Sequence, residues 1–308
     1  MAQTKAIVNK LLSNVSNGIF PVGYIADKVL PQIIVKQKTG LIGAYGMDHL
    51  RLSDDLIGGR AEARRVDPIS RTSASYIIQS HGLEGVVTQD DYDNVEDPFQ
   101  AEADETAGVT HLILTNKERA LAADLFSTTV FSGYTTTPGT KYGSSSSDPL
   151  ADFKTAKNAV LSNSGVLPNA AVMSRKVANT LMYNAQIKDI VGYKYNAIGN
   201  LSDEQLKVVL GVDELIIADA PYNSAKEGQT SVLAQIWGDS ILFYAKPKSA
   251  GKYQVSLGYE MKLSSQLNRS VYKYPLDNPP GSNGIIVQDS YQFKLINVAA
   301  GYLLDSVL

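Results

Sequence analysis

The sequence predicts an α+β fold, and three observations carry that prediction. A long helical pattern runs from Asp97 towards Phe131. A compact alternation of helices and strands follows Asp148, and the chain beyond about residue 255 is rich in strand-forming runs. The 308 residues are 44% hydrophobic and 19% charged, enough apolar side chain for a buried core and unlike a disordered chain.

From the N-terminus, Lys5–Leu12 reads as a short helix and YIADKVLPQIIVKQKTG as extended chain. Pro31 parts two apolar pieces there, so Val29 to Val35 is expected as strand or extended arm. Next comes Leu50–Pro68, LRLSDDLIGGRAEARRVDP, which lacks any apolar stripe. Its charges cancel: Arg51, Arg60, Arg64 and Arg65 stand against Asp54, Asp55, Glu62 and Asp67. Two extended limbs turning around Ser53–Gly59 make it a long hairpin-like excursion, and RTSASYIIQSHGLEGVVT supplies the returning strand.

The helix that follows has a cap at Asp97, proline at its first position and acidic residues in its early turns. Ala103, Ala107, Leu114, Leu121 and Leu125 line one face, widened by Val109, Leu112, Ile113 and Ala120. Continued to Phe131 it would be ~50 Å long, a spine, with a bend available at Gly108. SGYTTTPGTKYGSSSSDP then breaks the composition and reads as a flexible surface connection. Beyond it, Asp148-Pro149 opens a helix ending near Gly165, NAAVM is a short strand and SRKVANTLMYNAQIKD a further helix. Ser202 and Gln205 form a capping box before LGVDELIIADA, a buried strand, and VLAQIWGDSILFYAKP yields one or two more.

Several function classes are excluded or left without support. A net charge of −3 is no footprint for sequence-specific nucleic-acid reading. With no cysteine there is no disulfide, thiolate catalysis or cysteine-bound metal. MAQTKAIVNKLLSNVSNG lacks the apolar core of a secretory signal, and no run approaches the ~18 apolar residues of a membrane span, so a soluble protein made inside the cell is expected. His49, His81 and His111 have no metal-ligand spacing, and no nucleophile elbow, Walker loop or dinucleotide fingerprint occurs. The run QDDYDNVEDP lacks the glycine and terminal glutamate of a calcium loop and reads as a solvated helix approach. Ser144–Ser147 has no base beside it and reads as linker. Arg60, Arg64 and Arg65 could hold phosphate, but the acids around them favour contact with protein. No catalytic, cofactor or metal site is expected.

The order of four tracts, YIADKVLP, RRVDP, KERALAADLF and GVLPNAAVMS, resembles the major capsid proteins of tailed bacteriophages over nearly the whole chain. That resemblance implies an N-arm (1–38), an E-loop (39–75), a P-domain with the spine helix (76–132) completed by return strands (255–308), and an α/β A-domain (133–254). It implies a shell protein that forms hexamers and pentamers around double-stranded DNA in a virion assembled in the bacterial cytoplasm. Its partners would be itself, a separate scaffolding protein, a portal and, optionally, a decoration protein. The charged excursion would then lie across an adjacent subunit, with Arg51, Asp54, Asp55, Arg60, Glu62, Arg64, Arg65 and Asp67 as contacts and Gly58-Gly59 as its hinge. The sequence opens directly on the arm, which implies either a separate scaffolding protein or an already processed form, and Met1 favours the former. Lys36 and Lys38 lie near the loop base, but no spacing singles out a covalent crosslink. An encapsulin-like compartment is the near alternative, and a soluble α/β hydrolase or carbohydrate-binding protein the remote one.

Overall fold

The computed structural model describes residues 7–45, 50, 52–53, 55–57, 62–63, 65, 71–95, 97–195, 201–226, 228–248 and 254–308. The chain opens with β1 (Ile7–Val8), α1 (Lys10–Gly18), α2 (Ala26–Val29) and β2 (Gln32–Val35). The first helix begins later than its sequence suggests. Ile7 and Val8 pair with a strand, and the Asn9 side chain accepts from the Leu11 and Leu12 amides, which sets the start at Lys10.

Next come β3 (Thr39–Tyr45) and β4 (Arg71–Ile77), which form the antiparallel ribbon expected at the base of the charged excursion. They are followed by β5 (Gln79–Val87), α3 (Gln89–Asp93) and the spine α4 (Pro98–Leu125). Asp97 caps the spine, accepting from the Phe99 amide at 3.0 Å, and Pro98 stands at its start. The helix runs unbroken through Gly108 but stops at Leu125, short of the expected Phe131. Its 28 residues span about 42 Å. Phe126 leaves helical geometry, and Phe131 turns back to be fully buried beneath the spine's end.

The remaining elements are β6 (Thr135–Thr136), α5 (Pro149–Ser164), β7 (Ala170–Ser174), α6 (Arg175–Tyr183), α7 (Ala185–Tyr195), α8 (Asp203–Leu210) and β8 (Glu214–Ala218). Then follow β9 (Pro221–Asn223), β10 (Leu233–Gln235), β11 (Ile241–Tyr244), β12 (Gly258–Leu263), β13 (Ser270–Pro275), β14 (Asn283–Leu295) and β15 (Gly301–Leu304). The Ser202–Gln205 capping box forms in full, worth about 1 kcal/mol to α8. Gly211 ends that helix at φ +63°, a left-handed turn that a side chain would resist.

Two expectations fail here, for one reason. The connection 141–147 is packed rather than loose: Tyr142 is buried, its amide bonds to Val307 O, and its hydroxyl donates to Asp152 at 3.0 Å. The single helix expected over 174–189 is split at Asn184, which adopts extended geometry. Its side-chain amide donates to Tyr142 O and Ser147 Oγ, so one buried asparagine both breaks the helix and fastens the connection.

The first sheet runs β1-β13-β14-β12-β2, with β5 also on β14; β2 lies parallel to β12 and the other pairs are antiparallel. The second runs β6-β15-β11-β7-β8. Of the return strands expected over residues 255–308, β12, β13 and β14 lie in the first sheet. β15 pairs with β11 in the second sheet, where Leu303 fills the core on one face and Leu304 the core on the other. β7 reads AAVMS and is buried throughout, as a strand covered on both faces must be. Helices α5 to α8 cover one face, around Phe153, Val177, Leu181 and Phe243. The spine's C-terminal half and the N-terminal segment cover the other, through Leu121, Leu125, Ile25, Val29 and Leu30. The spine's N-terminal half lies on the first sheet through Val109, Ile113, Ile285 and Val287.

Candidate assembly interface

The β3–β4 ribbon is fastened to the body at its base. Tyr76 stands opposite Gly40 and is buried with Ile78, Met261 and Leu263. Gly40 is required there, since a Cβ would come within 2.7 Å of the Tyr76 hydroxyl. The Ile77 amide donates to Gln292 Oε1 at 2.7 Å, and the Ile78 amide donates to Lys38 O at 2.8 Å. Further out, Leu50 reaches the C-terminal glycine of α5, Gly165, while remaining half exposed.

At the far end, large apolar side chains face solvent: Leu52 is 97% exposed and Leu56 89%, with Ile57 beside them. Burying such side chains is worth about 1.5–3 kcal/mol each, so a ribbon that exposes them among charges suits contact with another surface. Of the charged residues singled out on sequence, Asp55, Glu62 and Arg65 are described and exposed. Arg51, Asp54, Gly58, Gly59, Arg60, Arg64 and Asp67 lie outside the described residues.

A second feature was missed on sequence: the buried face of the spine is polar along much of its length. Glu102, Thr106, Thr110, Lys117 and Glu118 all point inward, while Ala103 and Ala107 are only half-buried and Leu112 and Ala120 are exposed. The signal was present as polar residues spaced by four (102, 106, 110) and then 117 and 118, in phase with Leu114, Leu121 and Leu125. Ranking positions by hydropathy alone hid it.

Thr110, Lys117 and Glu118 bind the N-terminal segment. That segment, expected as a short helix and an extended arm, packs across the spine. Glu118, fully buried, accepts from the Ile25 and Ala26 amides at 2.9 and 2.8 Å and from Trp237 Nε1 at 2.7 Å. Lys117, 1% exposed, donates to Asp27 of α2 and to Glu260 of β12 at 2.7 Å, above the Tyr291 ring. Burial opposes its charge, but Glu260 and Asp27 outweigh burial and hold its pKa above the usual lysine value. Burial likewise raises the Glu118 and Glu260 carboxyls. Lys262 lies 3.9 Å from Glu260 and 3.8 Å from Asp289, extending the chain of charges. Arg269 donates to Ser16 and Ile19, and Ser16 bonds Thr110 at 2.8 Å.

The other candidates take ordinary places. His81 stacks on Tyr291, and His111 is exposed at the edge of Tyr24; His49 is outside the described residues. Asp90, Asp91 and Asp93 form the short helix α3, where the Thr88 amide and hydroxyl bond Asp91 and hold its carboxyl below the usual range. Among the described residues no three histidine, aspartate or glutamate side chains gather as a metal site would need, and no helix is long and apolar enough to cross a membrane.

No family model matches the chain. Two curated relatives do. The major capsid protein of Burkholderia phage BcepMu is 24% identical over 313 aligned residues, covering 98% of this chain and 97% of the relative. That of Pseudomonas phage JBD67 is 26% identical over 236, covering 73% of each. Among solved structures, a phage-related protein from Bordetella bronchiseptica RB50 aligns with a TM-score of 0.74 at 22% identity, over 98% of both chains. The mature capsid of bacteriophage PhiM1 aligns at 0.56 and 13%, over 93% of this chain and 88% of the other. Sequence likeness to these phage proteins runs end to end, and the chain shares the fold of tailed-bacteriophage capsid proteins, which it resembles throughout its length.

Proposed function

We propose that this chain builds the icosahedral head of a tailed phage, assembling into hexamers and pentamers around double-stranded DNA. Its work is structural rather than catalytic. Residues 1–38, 39–75, 76–132 with 255–308, and 133–254 serve as N-arm, E-loop, P-domain and A-domain, with β15 lent to the second sheet. Scaffolding and portal proteins are its partners during assembly in the host cytoplasm, and a decoration protein is an optional one on the finished shell.

One observation carries this reading: a ribbon that holds Leu52, Leu56 and Ile57 into solvent beside exposed charges. Draped over an identical copy, it makes a head-to-tail contact. Repeated contacts of that kind close into rings, and curvature turns rings into a shell. The apolar tips supply affinity, while Asp55, Glu62 and Arg65, with Arg51, Asp54, Arg60, Arg64 and Asp67, set register and orientation. Gly58 and Gly59 let one loop serve both ring sizes.

The test is to express the chain alone and with its scaffold, then follow it by sedimentation velocity and negative-stain microscopy. Rings or shells are expected. A strict monomer under every condition, scaffold included, would overturn the proposal.

A further inference from the structure

The hairpin and the buried charge cluster lie at the two ends of one short piece of chain. β3, the ascending limb, continues β2 after only Lys36, Gln37 and Lys38. β2 in turn continues α2 after Leu30 and Pro31. The descending limb is tied at the same point, where the Ile78 amide donates to Lys38 O. A rotation of the ribbon therefore bears directly on β2. Among the described residues that strand lies at the edge of its sheet, paired only with β12, half exposed along its length, with its Gln32 in register with Glu260.

The inner end of this lever is set by directional contacts. α2 presents two amides to Glu118 and a carboxylate to Lys117. Lys117 in turn holds Glu260, on the strand that β2 pairs with. Trp237 shares Glu118 Oε1 with the Ile25 amide and meets the ring of Phe126, just past the end of the spine, at 5.1 Å. Charge-assisted bonds in a dry site tolerate little displacement before they break.

We infer that the segment from Ile25 to Lys38 is a transmission element that couples the seating of the hairpin on a neighbouring copy to the Glu118–Trp237 contact inside the subunit. Coupling between two sites is reciprocal, so loosening the inner contact also loosens the hairpin base. The inference rests on the assembly reading above, and its test separates the two.

Trp237 is the chain's single tryptophan, so its emission reads the inner contact without interference. Emission is recorded for free subunits and for assembled shells, with assembly scored separately by sedimentation. A shift of the emission maximum on assembly is expected. A variant with Gly-Gly-Ser inserted between Gln37 and Lys38 should assemble with that shift lost. An unchanged wild-type spectrum in assembled shells, or an equal shift in the insertion variant, would sink the inference while leaving assembly itself standing.

The reverse direction needs no assembly. In free subunits, Trp237→Phe removes one bond at Glu118, and amide hydrogen exchange across residues 39–45 and 71–77 should accelerate several-fold. Unchanged exchange there, with faster exchange confined to Ile25 and Ala26, would also overturn it.

Discussion

Glu118 Oε1 accepts the indole N–H of Trp237 at 2.7 Å from a position wholly closed to solvent. The same carboxylate takes the Ile25 and Ala26 amides, so three donors from two distant parts of the chain depend on one side chain. Glu118→Ala leaves all three unpaired in a dry site and should cost about 3–5 kcal/mol. Asp104→Ala, on the exposed face of the same helix, should stay within about 0.5 kcal/mol. Urea unfolding followed at Trp237 compares them, and equal midpoints would refute the assignment.

Lys117 and Glu260 are each 1% exposed, so neither charge tolerates losing its partner. Lys117→Met should destabilise by about 3–5 kcal/mol, because it leaves buried carboxylate uncompensated. Adding Glu260→Leu should restore part of that loss, with a coupling of at least about 1 kcal/mol in the double-mutant cycle. Simple additivity would mean that the pair does not interact.

The carboxyls of this cluster shift in opposite directions, which predicts a maximum in stability on the acid side. Burial raises Glu118 and Glu260 above the ordinary 4.5. A group raised on folding contributes its stability below the unfolded value and loses it as pH climbs through the folded one. Burial also pushes Asp27 upward, but Lys117 outweighs that and leaves it below the ordinary 3.8. Its contribution is therefore present above 3.8 and lost as pH falls through the folded value. Unfolding free energy should rise as pH drops from neutrality towards 4.5 and fall again below 3.8. Glu118→Gln should flatten the rise and keep the fall; a wild-type curve that declines steadily from neutrality would contradict this.

Leu52 faces solvent in the lone chain, so charging it should leave the subunit intact. Leu52→Glu should move Tm by less than about 2 °C while abolishing shells in the sedimentation assay. The Gly58→Val, Gly59→Val double variant should likewise fold, yet yield aberrant particles. Normal shells from both would place the contact elsewhere.

Gly40→Val forces the Tyr76 ring out of its place at the hairpin base. The expected penalty is about 1–3 kcal/mol, with faster tryptic cleavage at Lys36 and Lys38. Unaltered cleavage would show that the ribbon is fastened by other means.

Much of this protein was legible in one dimension. The cap at Asp97, the proline after it, the Ser202–Gln205 box and the buried run at 170–173 are local signals, each written in residues a few positions apart. The two limbs at the base of the excursion were legible for the same reason, as short extended runs on either side of a glycine-punctuated stretch. The spine's inward face was not, because Lys117 and Glu118 are inside only by virtue of partners ninety or more residues away, and hydropathy assigns such residues to water. Nor was the seating of 9–30, which Arg269, Thr110 and Glu118 hold in place. The pairing of β15 with β11 follows the same logic. Short-range chemistry chooses helix, turn and cap, whereas burial of a charge or the allegiance of an end strand depends on contacts that exist only once the distant parts have met.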